Sequence, residues 1–197
     1  MPKLVTDTNV GGMTAKRGAR IEHLYCEPVA EALAADENFA RFFFKKANCR
    51  DWLGGARCLK DEQAIAGTHT FWWKDWYCPE GRCLCPDLKG TQIDILAVFE
   101  RNDGRRIGMH VECKHPTDKF SNPRQAPRYR ERLQCWTQPG RGAKDLPPHQ
   151  EAIAILICQR GHRHADANVR QFDAVIYFDE IANFISPYPA PEAIANV

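Results

Sequence analysis

Two apolar runs, QIDILAVFE and RIGMHVECK, flank the polar tip RNDGR and predict a β-hairpin turning at Asp103-Gly104. Strict alternation in the second run sets His110, Glu112 and Lys114 on one face and Met109, Val111 and Cys113 on the other. Upstream, Ile21, Leu24, Tyr25, Val29 and Leu33, then Phe39, Phe42 and Phe43, recur at helical spacing. Pro28 either starts a second helix or kinks the first, and Asp36-Glu37-Asn38 is a second candidate interruption. Gly54-Gly55 marks a turn, the aromatic stretch HTFWWKDWY (69–77) has strand character, and CPEGRCLCPDLKG (78–90) reads as a loop. Beyond the hairpin, RYRERLQCW predicts a helix and EAIAILICQ a fully buried strand. DAVIYFDEIANFI predicts a last strand passing into a short helix. Helix, three strands, helix and two more strands predict an α/β three-layer sandwich, a mixed central β-sheet flanked by helices.

At 197 residues, 44% hydrophobic and 26% charged, the chain fits one soluble domain with a proper core. The expected division is a flexible N-terminal arm at 1–19, a single domain at 20–186, and a Pro-rich, extended or loosely ordered tail at 187–197. No apolar run approaches the roughly 20 residues of a membrane span, and the first residues lack the apolar core of a signal peptide. No membrane association and a cytoplasmic location are therefore expected, with the nine cysteines mostly reduced thiols.

Charge is unevenly spread. Between Arg101 and Lys144 lie eleven Lys or Arg against four Asp or Glu, a local balance of +7, while the remainder carries −5. A basic segment in an otherwise acidic chain suits either a polyanion-binding face or a solvated surface. Arg124, Arg128, Arg130 and Arg132 would supply phosphate contacts if their helix faces a duplex, with Tyr129 beside them.

The acids of the hairpin need a reason. If the strands pair, Asp94 comes near Glu112 at one sheet surface, and two carboxylates so placed repel unless a cation joins them. Oxygen ligands suit Mg²⁺ or Mn²⁺, and Lys114 would set a point charge beside the metal, able to orient a water or stabilise developing phosphate charge. The same three residues could instead form an exposed cross-strand ion-pair cluster, contributing only about 0–1 kcal/mol per pair.

Asp94 followed by Glu112-Cys113-Lys114 resembles the motif of the PD-(D/E)xK nuclease superfamily. The resemblance implies a restriction-endonuclease-like fold and metal ligation by Asp94, Glu112 and the backbone carbonyl of Cys113. It also implies that Lys114 acts on the attacking water. Members often carry a glutamate in the first helix, for which Glu22 is preferred over Glu27. Gln125 and Tyr129 match the Gln-x-x-x-Tyr of RecB-type branches, with Gln134 a rival to Gln125. The sequence departs from the pattern at Ile93, where proline is common, and a literal Pro86-Asp87 makes Asp87 a competing ligand. The implied activity is a Mg²⁺-dependent endonuclease or exonuclease acting on nucleic acid, DNA by preference, with a homodimer as the default assembly. The alternative is a non-catalytic nucleic-acid-binding or assembly module on the same fold.

Cys78, Cys83 and Cys85, with Cys58 or His69 as a fourth ligand, could hold zinc or an iron–sulfur cluster. Their spacing does not match the usual paired knuckles, and reduced loop thiols are preferred. His162 and His164 are expected at the surface. Phe71, Trp72, Trp73, Trp76 and Tyr77 could stack bases, although core packing is the simpler expectation.

Overall fold

The computed structural model describes residues 10–66, 71–74, 76–78, 85, 92–120, 123–143, 145–161 and 166–195. Helix α1 spans Val10–Ala35 and passes through Pro28 without ending. Its start at Val10 corrects the expected arm for residues 10–19: once a helix is nucleated, each further residue adds a hydrogen bond at little cost. Asp36 then caps α2 (Glu37–Lys46), its carboxylate accepting the amides of Asn38 and Phe39. After a short 3₁₀ turn at Arg50–Trp52 come the two-residue strand β1 (Arg57–Cys58) and α3 (Lys60–Ala66).

The predicted hairpin forms β2 (Ile95–Glu100) and β3 (Arg106–Lys114), with Gly104 at φ 80° in the turn. Helix α4 (Gln125–Trp136) carries the chain to β4 (Glu151–Cys158), and α5 (Asp166–Val169) leads to β5 (Ala174–Tyr177). Helices α6 (Phe178–Ile181) and α7 (Pro191–Ala195) follow.

The sheet order is β1-β2-β3-β4-β5, antiparallel from β1 to β3 and parallel from β3 to β5. Parallel neighbours require a crossover, and α4 supplies one between β3 and β4. Helices cover both faces. Met109, Val111 and Cys113 pack with α1 and α2 in one core cluster, while Leu96, Ala154 and Leu156 pack against α4 in the other. This is the expected α/β architecture with a mixed sheet flanked by helices.

Three expectations change. Phe71–Lys74 is a turn rather than a strand, and the first strand is instead Arg57–Cys58, just after the Gly54-Gly55 turn. Consecutive Trp72 and Trp73 are both buried in one cluster, which strand alternation onto a single covered face forbids. The C-terminal segment is docked, not loose: Tyr188 is buried and donates its hydroxyl to the Tyr25 carbonyl at 3.2 Å, and Ala193 is fully buried. Asp94 lies just before β2, in a bend, rather than within the strand.

The edge of β2 is completed in an unusual way. Where β1 ends, the Leu59 amide donates to the Val98 carbonyl, and buried Gln63 continues the ladder with its side chain. Its Oε1 accepts the Val98 amide at 2.8 Å, and its Nε2 donates to the Leu96 carbonyl at 3.1 Å.

Candidate active site

Strand β3 is central and covered on both faces, so the side chains of Glu112 and Lys114 are only 2% and 5% exposed. That excludes the exposed ion-pair cluster. Lys114 Nζ lies 2.5 Å from Glu112 Oε1 and also pairs with Asp118 at 3.1 Å, a partner four residues on that the sequence reading missed. Phe120, also missed, lies under the ammonium at 5.1 Å from its ring centroid. Burial works against the charge on Lys114, but Glu112, by charge and hydrogen bond, and then Asp118 and Asp94 raise its pKa above the usual lysine value.

Helix α4 closes over this pair. Gln125 Nε2 donates to Glu112 Oε1 at 2.8 Å, and the Tyr129 hydroxyl donates to Oε2 at 2.5 Å. Spacing of i, i+4 sets both donors on one helix face, which is why Gln-x-x-x-Tyr can grip one carboxylate. Burial, with the charges of Glu112 and Asp94, holds the Tyr129 pKa far above its usual value, so the phenol keeps its proton. Gln134, the rival, is exposed on the same helix.

The hairpin register pairs Ile95 with Val111, which brings Asp94 to the level of Glu112. Asp94 Oδ2 accepts the Cys113 amide at 2.8 Å, while Oδ1 has no hydrogen-bond partner among the described residues. Desolvation, then the charges of Glu112 and Glu22, hold Asp94 well above the usual carboxylate range. Glu22 is raised as well, by desolvation and by Glu112, against the opposing charge of Lys74 3.5 Å away. Of the two first-helix candidates, then, Glu22 faces the carboxylates, whereas Glu27 pairs with His23 at 3.1 Å. Lys74 is a further residue the sequence reading missed.

The arginines separate. Arg132 is 2% exposed, its guanidinium over the rings of Tyr129 and Trp136 at 5.4 and 5.8 Å. It cannot present itself to a duplex, and fully buried Tyr129 cannot touch one either; both nucleic-acid assignments are corrected, the Tyr129 hydroxyl being spent on Glu112. The reason is helix periodicity: both residues lie on the face of α4 that covers the sheet. Arg124 is exposed and pairs with Glu131 at 2.6 Å; Arg128 is half-buried; Arg130 is held by Asp173 at 2.7 Å.

Among the described residues no three His, Cys, Asp or Glu side chains converge to hold a metal ion. The ligand set implied by the resemblance asks for less: two carboxylates, Asp94 and Glu112, and the main-chain carbonyl of Cys113. Asp94 fits, since burial and the neighbouring carboxylates outweigh the Cys113 amide and Lys114 in opposing its ionised form, and its Oδ1 has no hydrogen-bond partner among the described residues. Glu112 already accepts from three donors, so it fits as a ligand only if Lys114 swings toward Asp118. Asp87, His69, Cys83, His162 and His164 lie outside the described residues. Cys58 and Cys78 are free, half-buried thiols, Cys85 is half-buried, and burial pushes the Cys58 thiol up to about 12.

No helix among the described residues is long and apolar enough to cross a membrane. Compared with known proteins, the chain matches no family model, no curated protein and no solved structure.

Proposed function

We propose that the chain is a metal-dependent nuclease of restriction-endonuclease-like fold, hydrolysing phosphodiester bonds, with DNA as the preferred substrate. One observation carries this reading: buried Glu112 is gripped from α4 by Gln125 and Tyr129 and from its own strand by Lys114. Asp94 stands at its level with a raised pKa. A buried, multiply oriented carboxylate beside a second, only partly compensated one is a costly arrangement, of the kind found where charge is organised for chemistry.

Asp94, Glu112 and the Cys113 carbonyl would hold Mg²⁺ or Mn²⁺, which when bound supplies Lewis acidity toward the phosphate and lowers the pKa of water. Gln125 and Tyr129 keep the Glu112 carboxylate in one orientation. Lys114, protonated, offers hydrogen bonds and positive charge where the phosphate becomes more anionic. Glu22 of α1, paired with Lys74 from the Phe71–Lys74 turn, extends the polar cluster, and exposed Arg124, with Arg128, supplies backbone contacts.

The test is cleavage of plasmid and single-stranded DNA with Mg²⁺ or Mn²⁺ by wild type, Lys114→Ala and Asp94→Ala. Metal-dependent cutting lost in both variants supports the proposal; a wild type that binds DNA without cutting it under any divalent metal sinks it. The closed Lys114–Glu112 pair favours a second reading, a nucleic-acid-binding module that does not use the site. That reading requires salt-sensitive binding unaffected by metal and by Lys114→Ala.

A further inference from the structure

Lys114 is shared between two carboxylates in unlike surroundings. Its Nζ lies 2.5 Å from Glu112 Oε1 and 3.1 Å from Asp118 Oδ2. The Glu112 side chain is 2% exposed and that of Asp118 35%, so water supports the charge of Asp118 and not that of Glu112. Against the desolvation of the ammonium, three carboxylates hold Lys114 in its charged form: Glu112, then Asp118 and Asp94. Two of these are the proposed metal ligands; Asp118 is the third.

The local chain fixes Asp118 in place. Strand β3 ends at Lys114, and the next residues turn at Pro116 and Thr117, where proline sets φ for the bend. The Asp118 amide closes that turn by donating to the His115 carbonyl at 2.9 Å. Its Oδ1 accepts the Lys119 amide at 2.8 Å, which leaves Oδ2 for Lys114. The Phe120 ring lies 5.1 Å from the same ammonium and is itself 6.2 Å from the Phe172 ring. An anion and an aromatic face together form a second seat for the ammonium, next to the first. Glu112 is the crowded partner: Oε1 takes Gln125 and Lys114, and Oε2 takes Tyr129. An ammonium and a divalent cation on one carboxylate repel each other, so Lys114 must leave Glu112 before that carboxylate can serve a metal.

We infer that Asp118 is a positioning residue, the second seat that receives the Lys114 ammonium when Glu112 engages a divalent cation. The inference rests on the metal-dependent reading of Asp94 and Glu112 for what displaces the lysine. Asp118 keeps the ammonium charged and beside the site while freeing Glu112 Oε1. The movement is small, since the nitrogen already touches both carboxylates and the lysine stem is flexible.

Two measurements on the full chain test this, and the first needs no metal. Glu112→Gln removes the charge of the first seat, so Lys114 leans on Asp118. Urea unfolding is followed for wild type, Glu112→Gln, Asp118→Asn and the double variant. Asp118→Asn is expected to lower the folding equilibrium constant about two- to 100-fold more in the Glu112→Gln background than in wild type. An identical loss in both backgrounds overturns the inference, whether or not the chain binds metal. The second measurement reads Mn²⁺ binding to the DNA-free protein from the electron paramagnetic resonance signal of the free ion. Asp118→Asn is expected to weaken binding about 10–100-fold, Asp118→Glu to restore most of it, and Asp118→Asn to change nothing further once Lys114→Met has removed the ammonium. Wild-type affinity in Asp118→Asn refutes the second seat and leaves the metal reading intact. An equal loss with and without Lys114 makes Asp118 a ligand or a prop of the turn, and refutes it too. Mn²⁺ binding that is absent from wild type, or indifferent to Asp94→Ala, removes the metal reading and the inference with it.

Discussion

The Tyr129 hydroxyl donates to Glu112 Oε2 at 2.5 Å, while Lys114 and Gln125 share Oε1. On the proposed nuclease reading, Tyr129 therefore acts through Glu112 and not on substrate. Tyr129→Phe keeps the ring packing and removes only the donor. Outer-shell partners of ligating groups typically contribute 10–100-fold in metal affinity or activity. The expected result is an apparent Mg²⁺ affinity lowered about 10–100-fold with near-normal DNA binding, read from cleavage rate against metal concentration.

The Lys114–Glu112 pair is nearly inaccessible to water. Lys114→Met strands a buried carboxylate, and removing one partner of a buried pair costs about 3–5 kcal/mol. Urea unfolding is expected to show that loss, with most of it restored in the double variant Glu112→Gln/Lys114→Met. Equal destabilisation of the single and double variants would show that Asp118 and the helix contacts, not the pair, carry the effect.

Gln63 stands in for a missing strand at the edge of β2. Gln63→Leu conserves volume but leaves the Val98 amide and the Leu96 carbonyl buried without their partner. Each group so stranded costs about 1–3 kcal/mol, and a change of 1 kcal/mol moves Tm by roughly 2–4 °C in a chain of this size. Calorimetry checks the drop; Gln63→Glu, which lacks the donor, should be no better.

Gly108 is required by packing. A Cβ there would stand 2.6 Å from His149 Nε2 and 2.8 Å from its Cδ2, and the ring is anchored by Nδ1 to the Pro147 carbonyl at 3.2 Å. Gly108→Ala is expected to cost about 1–3 kcal/mol through overpacking, and His149→Ala added to it should recover part of that loss in denaturant titration.

His110 is fully buried against Trp136 and His149, and neither ring nitrogen has a hydrogen-bond partner among the described residues. Burial first, then the charges of His149 and Arg132, hold its pKa well below the usual histidine value; burial lowers His149 too. The unfolded chain therefore binds protons at higher pH than the folded one. The stability due to these neutral rings is present above about pH 6.5 and is lost as pH falls through the depressed folded values. Tm measured from neutral pH downward should decline, and His110→Phe should flatten that decline.

Much of the candidate site could be read from the chain because its parts are local patterns. Alternation set Glu112 and Lys114 on one face of a strand, and i, i+4 spacing set Gln125 and Tyr129 on one face of a helix. Asp118, Phe120 and Lys74 escaped because each lies in irregular chain, where no period indicates which way a side chain points. Arg132 was misread for a related reason: an Arg-rich helix looks solvated until one knows how wide a stripe the sheet covers.

Periodicity alone determined the hairpin, its turn at Gly104, the helix carrying Gln125 and Tyr129, and the buried strand after it, since each depends on neighbours within a few residues. Only the tertiary structure decided the rest. Placing β3 at the centre of the sheet turned Glu112 and Lys114 from surface charges into a buried pair. Packing α1 against that strand set Glu22, and not Glu27, near Asp94 and Glu112, and docking Tyr188 on Tyr25 joined segments 163 residues apart. Burial and long-range charge depend on which distant surfaces meet, and no local pattern specifies that.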